Sequence, residues 1–243
     1  MRRYFPLILA ALVVLPVASR SSNAPAVSAP RTPAVQRALE MLRDIHNDNA
    51  RFVHEHDSRY FAPFRDTQSP RAVMLTCADS RFHANAVDAS PDGDLFEVRN
   101  IGNQLDLSLG SVEYGVRHLH VPMLLIVGHV GCGAVRAAME DYGHESPSIR
   151  RDLDGLHLPV SHAPAEGTLE GRWRAAVMAN VHDQVDHALA EFSSEVEAGK
   201  LLVVGAVYDF RGELQAAPGT LHVLNVNGRR DGPLLSAARA ATR

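Results

Sequence analysis

The chain has 243 residues, of which 46% are hydrophobic, and a formal net charge of −4. That length and apolar content suit one large globular domain. The mild acidity and an aromatic content of 6% exclude the basic patch and the stacking platform of a nucleic-acid binder.

Arg2 and Arg3 precede an apolar run from Tyr4 to Ala18, shorter than the ~20 residues a spanning helix needs. This reads as a cleavable secretory signal, with small residues permitting cleavage after Ser19 or Ala26. Residues 1–26 are taken as the signal and the start of a tether, and 27–32 as flexible Ser/Ala/Pro-rich tether. Residues 33–232 are taken as the folded domain and 233–243 as a tail. A periplasmic or secreted product with no stable membrane span follows from that reading.

Thr32-Pro33 is a helix start, with a capping side chain followed by proline at the first helical position. Val35, Leu39, Leu42, Ile45 and Phe52 then recur at helical spacing and form one apolar stripe that needs a surface to lie on. Strands are predicted at Ala72–Thr76, Leu95–Val98, Met123–Val127, Leu201–Val207 and Leu221–Val226. Helices are predicted at Leu107–Leu119, Cys132–Tyr142 and Trp173–Phe192. The polar segment from Gly143 to Gly171, rich in Pro, Gly and His, reads as loop. Continuous apolar strands alternating with helices predict an α/β fold: a mostly parallel central sheet flanked by helices.

Both cysteines of the chain follow predicted strands. Cys77 lies in TCADSRFH and Cys132 in GHVGCGAV. In extended chain alternate side chains share one side, so Cys77, Asp79 and Arg81 align. Open parallel sheets gather ligands at the carboxyl ends of their strands, which would bring Cys77, Asp79, His129 and Cys132 together. Cys132 stands at a helix start, where exposed N–H groups lower a thiol's pKa. Two thiolates and an imidazole suit zinc, with the fourth position left to water or Asp79. A disulfide between two exported cysteines, a closed structural zinc site, and a cysteine nucleophile with His129 as base are the competing readings. The disulfide leaves His129, Asp79 and the glycines beside Cys132 without a purpose.

CADSR, EVRNIGN (97–103), GSVEYGVRHL (110–119) and GHVGCGAV closely resemble the β-class carbonic anhydrases. NARFV, ANVHDQV and VVGAVYDFRGEL resemble that family too, in the same order. The resemblance implies one Zn2+ per chain on Cys77, His129 and Cys132. It implies that Asp79 either ligates zinc at rest or pairs with Arg81 in an active form. The implied reaction is hydration of carbon dioxide to bicarbonate and a proton by zinc-bound hydroxide. Zinc hydrolysis of carbonyl sulfide or carbon disulfide, and a zinc module without turnover, are the alternatives. Gly102 and Gly133 are candidate substrate-binding positions. None of the thirteen histidines is assigned as a proton shuttle. Family members assemble as dimers or multiples of dimers, which implies a homodimer or tetramer with the N-terminal helix packed on a partner subunit. Tyr208-Asp209-Phe210 and Arg211-Gly212 read equally as packing or interface.

Overall fold

The computed structural model describes residues 32–233 and 235–236. The signal, most of the tether and most of the tail therefore lie outside the described residues. The chain divides into two compact units, one ending at Asp57 and one beginning at Ser58.

The first unit contains helix α1, Pro33–Glu55. Thr32 caps it by accepting a hydrogen bond from the Val35 amide at 3.2 Å, as the Thr-Pro start requires. No residue of α1 is buried, and Leu39, Met41, Leu42 and Ile45 are each more than 40% exposed.

The second unit is built on a five-stranded sheet. Its strands are β1 Ala72–Cys77, β2 Leu95–Asn100, β3 Met123–His129, β4 Leu202–Asp209 and β5 Thr220–Val226. Their spatial order is β2-β1-β3-β4-β5. The first four are mutually parallel, and β5 closes the edge antiparallel to β4. Every residue of β1 is buried, as a strand covered on both faces must be. The long helix Leu169–Glu191 lies on β3 and β4, with Val181 and Val185 against Gly205. A side chain at Gly205 would collide with both valines.

Two helical expectations change in detail. Leu107–Leu119 is not one α-helix but a 3-10 turn (Asp106–Ser108), an α-helical turn (Leu109–Glu113) and a π-turn (Tyr114–His118). The Leu119 amide bonds to the Tyr114 carbonyl at 2.9 Å, five residues back. Gly115 lets this segment lie directly on Val73 of β1. The segment 143–171, read as loop, carries helices at Pro147–Asp154 and His157–Ser161. Ser146 caps the first of these through the Ile149 amide. Leu153 and Leu156 are its buried anchors. Its polar composition masked the pattern, because so few residues carry the packing face. The predicted helix Cys132–Tyr142 shortens to Gly133–Ala138. No helix among the described residues is long and apolar enough to cross a membrane.

Candidate metal centre

Parallel register places the site. Thr76 on β1 pairs with Val127 on β3, so the next residues along each strand, Cys77 on one and Gly128-His129 on the other, emerge side by side. The turn after β3 then returns Cys132 to the same point. Gly131 makes that turn with φ +65°, and a Cβ there would meet the Arg211 guanidinium. Glycine at 131 is therefore favoured by conformation, while the flexible Arg211 head could move aside for a side chain. Gly133 has open space beside its Cα, so close approach gives no reason for a glycine there. At Gly102 (φ +77°) a side chain would collide with Leu156.

Cys77, His129 and Cys132 are all buried, and their ligating atoms lie within 4.8 Å of one another. The two sulfurs are 3.9 Å apart and both thiols are free. A disulfide needs about 2.05 Å. A tetrahedral zinc about 2.3 Å from each sulfur holds the pair about 3.8 Å apart. The His129 Nδ1 donates to the Val130 carbonyl at 3.0 Å, which turns Nε2 inward. That Nε2 is buried without a hydrogen-bond partner. An orphaned buried nitrogen facing two sulfurs at metal-bridging separation fits zinc and leaves the disulfide reading without support.

The thiols do not titrate as the helix-start reading expects. The hydrogen bond from Cys132 holds the Cys77 thiol down at about 4, with His129 and the Gly102 amide helping against burial. Cys132 is pushed well up by Cys77 and by burial, despite the Ala134 and Val135 amides beside it. Two sulfurs this close cannot both be anionic without a cation between them, so the metal-free pair keeps one proton.

Asp79 turns to Arg81 rather than to the three ligands. Arg81 donates from Nε to Oδ1 at 2.8 Å, from Nη2 to Oδ2 at 2.6 Å, and from its amide to Oδ1 at 3.0 Å. The Arg81 guanidinium holds the Asp79 carboxyl far below the usual carboxylate range, against a smaller upward push from burial. Arg81 Nη2 also donates to the Gly131 carbonyl at 2.9 Å. The Asp79 Oδ2 that accepts from Arg81 Nη2 also lies 3.7 Å from His129 Nε2, so the dyad borders the ligand cluster.

Two supporting residues, Arg99 and Trp173, escaped the sequence reading, and a third, Phe210, was read only as packing or interface. Arg99 donates to the carbonyls of Cys77, Asp79 and Phe82, at 2.7–3.2 Å, and thereby folds the whole CADSRF turn. Its signal was an arginine at the end of a strand in EVRNIGN, where solvent exposure offers no reason for it. Trp173, the single tryptophan, donates to the Cys132 carbonyl at 2.9 Å. Phe210 lies beside both Arg81 and His129. Arg99→Met is expected to destabilise the protein by about 2 kcal/mol or more, because three half-buried carbonyls lose a charged donor. The midpoint of urea unfolding checks it; an unchanged midpoint would show that water replaces Arg99 at no cost.

A mostly parallel α/β sheet carries, at the carboxyl ends of neighbouring strands, a buried Cys-His-Cys cluster with the chemistry of a metal site and an adjoining Asp–Arg dyad. The family model described as carbonic anhydrase matches residues 72–214, which include all of these groups. Carbonic anhydrase 2 of Mycobacterium tuberculosis is 33% identical over 148 residues, covering 58% of this chain and 70% of that protein. The β-carbonic anhydrase CafA of Aspergillus fumigatus superposes with a TM-score of 0.64 at 26% identity, covering 85% of this chain and 99% of the other. A structure of tetrameric β-carbonic anhydrases from Sordaria macrospora gives a TM-score of 0.66 at 21% identity, covering 78% and 98%. The chain belongs to the β-carbonic anhydrase family, a family of enzymes.

Proposed function

We propose that this protein hydrates carbon dioxide reversibly to bicarbonate and a proton, with one zinc per chain held by Cys77, His129 and Cys132. The observation that carries the reading is the unpartnered His129 Nε2 facing two free thiols 3.9 Å apart, next to an ionised Asp79. Bound zinc supplies Lewis acidity that makes water nucleophilic near neutral pH. The chain's own groups orient the reaction. Asp79 is an acceptor only, because Arg81 keeps it ionised, so it can receive a hydrogen bond from the attacking water and fix the direction of its lone pair. Arg81 takes both carboxylate oxygens and the Gly131 carbonyl, which keeps Asp79 off the ligand cluster. Val130, Val135 and Val207 pack around the cysteines and keep the centre dry, which strengthens each of these contacts.

Zinc analysis with a CO2 hydration assay tests the reading: one zinc per chain and hydration abolished by chelation are expected. Metal-free protein as isolated, or zinc-loaded protein without hydration, would overturn it. Metal uptake carries its own signature. Since the thiol pair already lacks one proton, it gives up one more when zinc binds. The cysteines' contribution to apparent zinc affinity should therefore rise about tenfold per pH unit between Cys77's low value and Cys132's raised one, rather than about a hundredfold. Calorimetry in buffers of different ionisation enthalpy counts those protons.

The exposed apolar stripe of α1 at Leu39, Leu42 and Ile45 supports burial against a second copy, giving a homodimer or tetramer. The Arg2-Arg3 start and the apolar run after it support export with removal of about 19 to 26 residues. N-terminal sequencing of protein from fractionated cells is expected to find the shortened chain; an intact Met1 in the cytoplasmic fraction would defeat export.

A further inference from the structure

The Asp209–Leu214 turn after β4 belongs to none of the ligands, yet it reaches the dyad. Asp209 is fully buried and accepts the amides of Arg211 at 2.9 Å, Gly212 at 2.8 Å and Leu214 at 2.7 Å. Its own carbonyl accepts the Gly219 amide at 2.7 Å. Gly212 completes the turn at φ +75°, where a Cβ would press on the Ala216 carbonyl. A turn pinned at four points holds the residue inside it rigidly, and that residue is Phe210.

The Phe210 ring lies under the Arg81 guanidinium, 4.8 Å from centroid to Cζ. It is also stacked near the His129 imidazole, with centroids 6.0 Å apart and 30° between planes. The hydrogen bonds of Arg81 to Asp79 and to the Gly131 carbonyl run from the donors at the edge of its planar head. Such bonds set its direction but resist tilting weakly, and the Arg81 side chain is 44% exposed. An aromatic face against the plane supplies the missing restraint. Among the described residues, the groups that reach the Asp79 carboxylate are Arg81 and the ligand cluster, whose His129 Nε2 lies 3.7 Å away.

We infer that Phe210 is a positioning residue for the reaction: its ring fixes Arg81 so that Asp79 stays paired with arginine and clear of the metal position. The consequence for rate rests on the proposed CO2 hydration; the positioning itself does not.

The test uses zinc-loaded full-length protein. Phe210→Leu keeps the apolar bulk and removes the aromatic face. Phe210→Tyr keeps the face. The leucine variant should keep one zinc per chain and lose about 3- to 30-fold in kcat for hydration, the range of a partly desolvated cation–aromatic contact. The tyrosine variant should stay within about 3-fold of the parent. Arg81→Ala combined with Phe210→Leu should be no slower than Arg81→Ala alone, since the ring acts through the arginine. A parent-like rate in Phe210→Leu, equal losses in both single variants, or additive losses in the double would overturn the inference. A crystal structure of zinc-loaded Phe210→Leu judges positioning without any rate. Asp79 released from Arg81 is the expected result; the intact pair with Arg81 in its present place is the contrary one. Absence of hydration in the parent protein would count against the proposed function alone.

Discussion

Cys132→Ser is expected to lose zinc and CO2 hydration together. The substitution removes one of the two soft ligands and leaves a hydroxyl that does not ionise near neutral pH. That hydroxyl still donates toward the Cys77 sulfur, so the loss rests on the missing soft ligand. One thiolate and one imidazole are then expected to hold the metal too weakly to keep it through dialysis. Zinc below about 0.1 per chain after dialysis and hydration reduced by about 1000-fold or more are the expected values. The fold should survive, because β1, β3 and their valine-rich packing do not pass through the sulfur. Elemental analysis, a hydration assay and a thermal melt on the same preparation decide it. Retained stoichiometric zinc would remove Cys132 from the ligand set.

Asp79→Asn is expected to separate chemistry from metal binding. Asparagine keeps the size of the side chain but loses the charge and the second acceptor oxygen that Arg81 grips. Zinc should remain bound, since the three ligands are untouched and the structure turns Asp79 away from them. Hydration should fall by about 10- to 1000-fold, the usual worth of one positioned polar group in a transition state. Arg81→Ala should fall comparably for a different reason: it frees an ionised Asp79 to occupy the metal's open position. Measured at about pH 7 and about pH 8.5, the Arg81→Ala loss should be the one accompanied by a change in zinc coordination. Full activity in Asp79→Asn would reduce the dyad to a structural ion pair.

The proposed export would have a consequence for Cys77 and Cys132. Two free thiols 3.9 Å apart in an oxidising compartment need little movement to join. Under that proposal, zinc bound before oxidation would protect them, and the yield of active protein is expected to rise with metal loading.

The strands were legible because covered parallel strands are continuous apolar runs, and MLLIV and LLVVGAV have no other use in a folded chain. α1 was legible from Thr32-Pro33 and its spacing. The two short helices at Pro147–Asp154 and His157–Ser161 were hidden by a polar composition, because their packing rests on Leu153, Leu156 and Pro159 rather than on a full apolar face.

At the site, the sequence by itself determined the chemistry of the donors. Cys77, Asp79 and Arg81 at intervals of two, and His129 and Cys132 at an interval of three, are covalent facts. Strand alternation and a glycine turn convert them into shared direction within a few residues. Only the tertiary structure decided what depends on contacts between distant segments. Asp79 had two available partners, and its choice of Arg81 is supported by the Gly131 carbonyl about 50 residues away and by Phe210 in the turn after β4. The metal-free thiols share one proton because the register of β1 against β3 brings two sulfurs together, an interaction that outweighs the helix-start effect legible locally. Arg99 and Trp173 became visible for the same reason. Their partners are backbone carbonyls, which every residue carries and no sequence pattern marks, so only the folded chain shows which ones they hold.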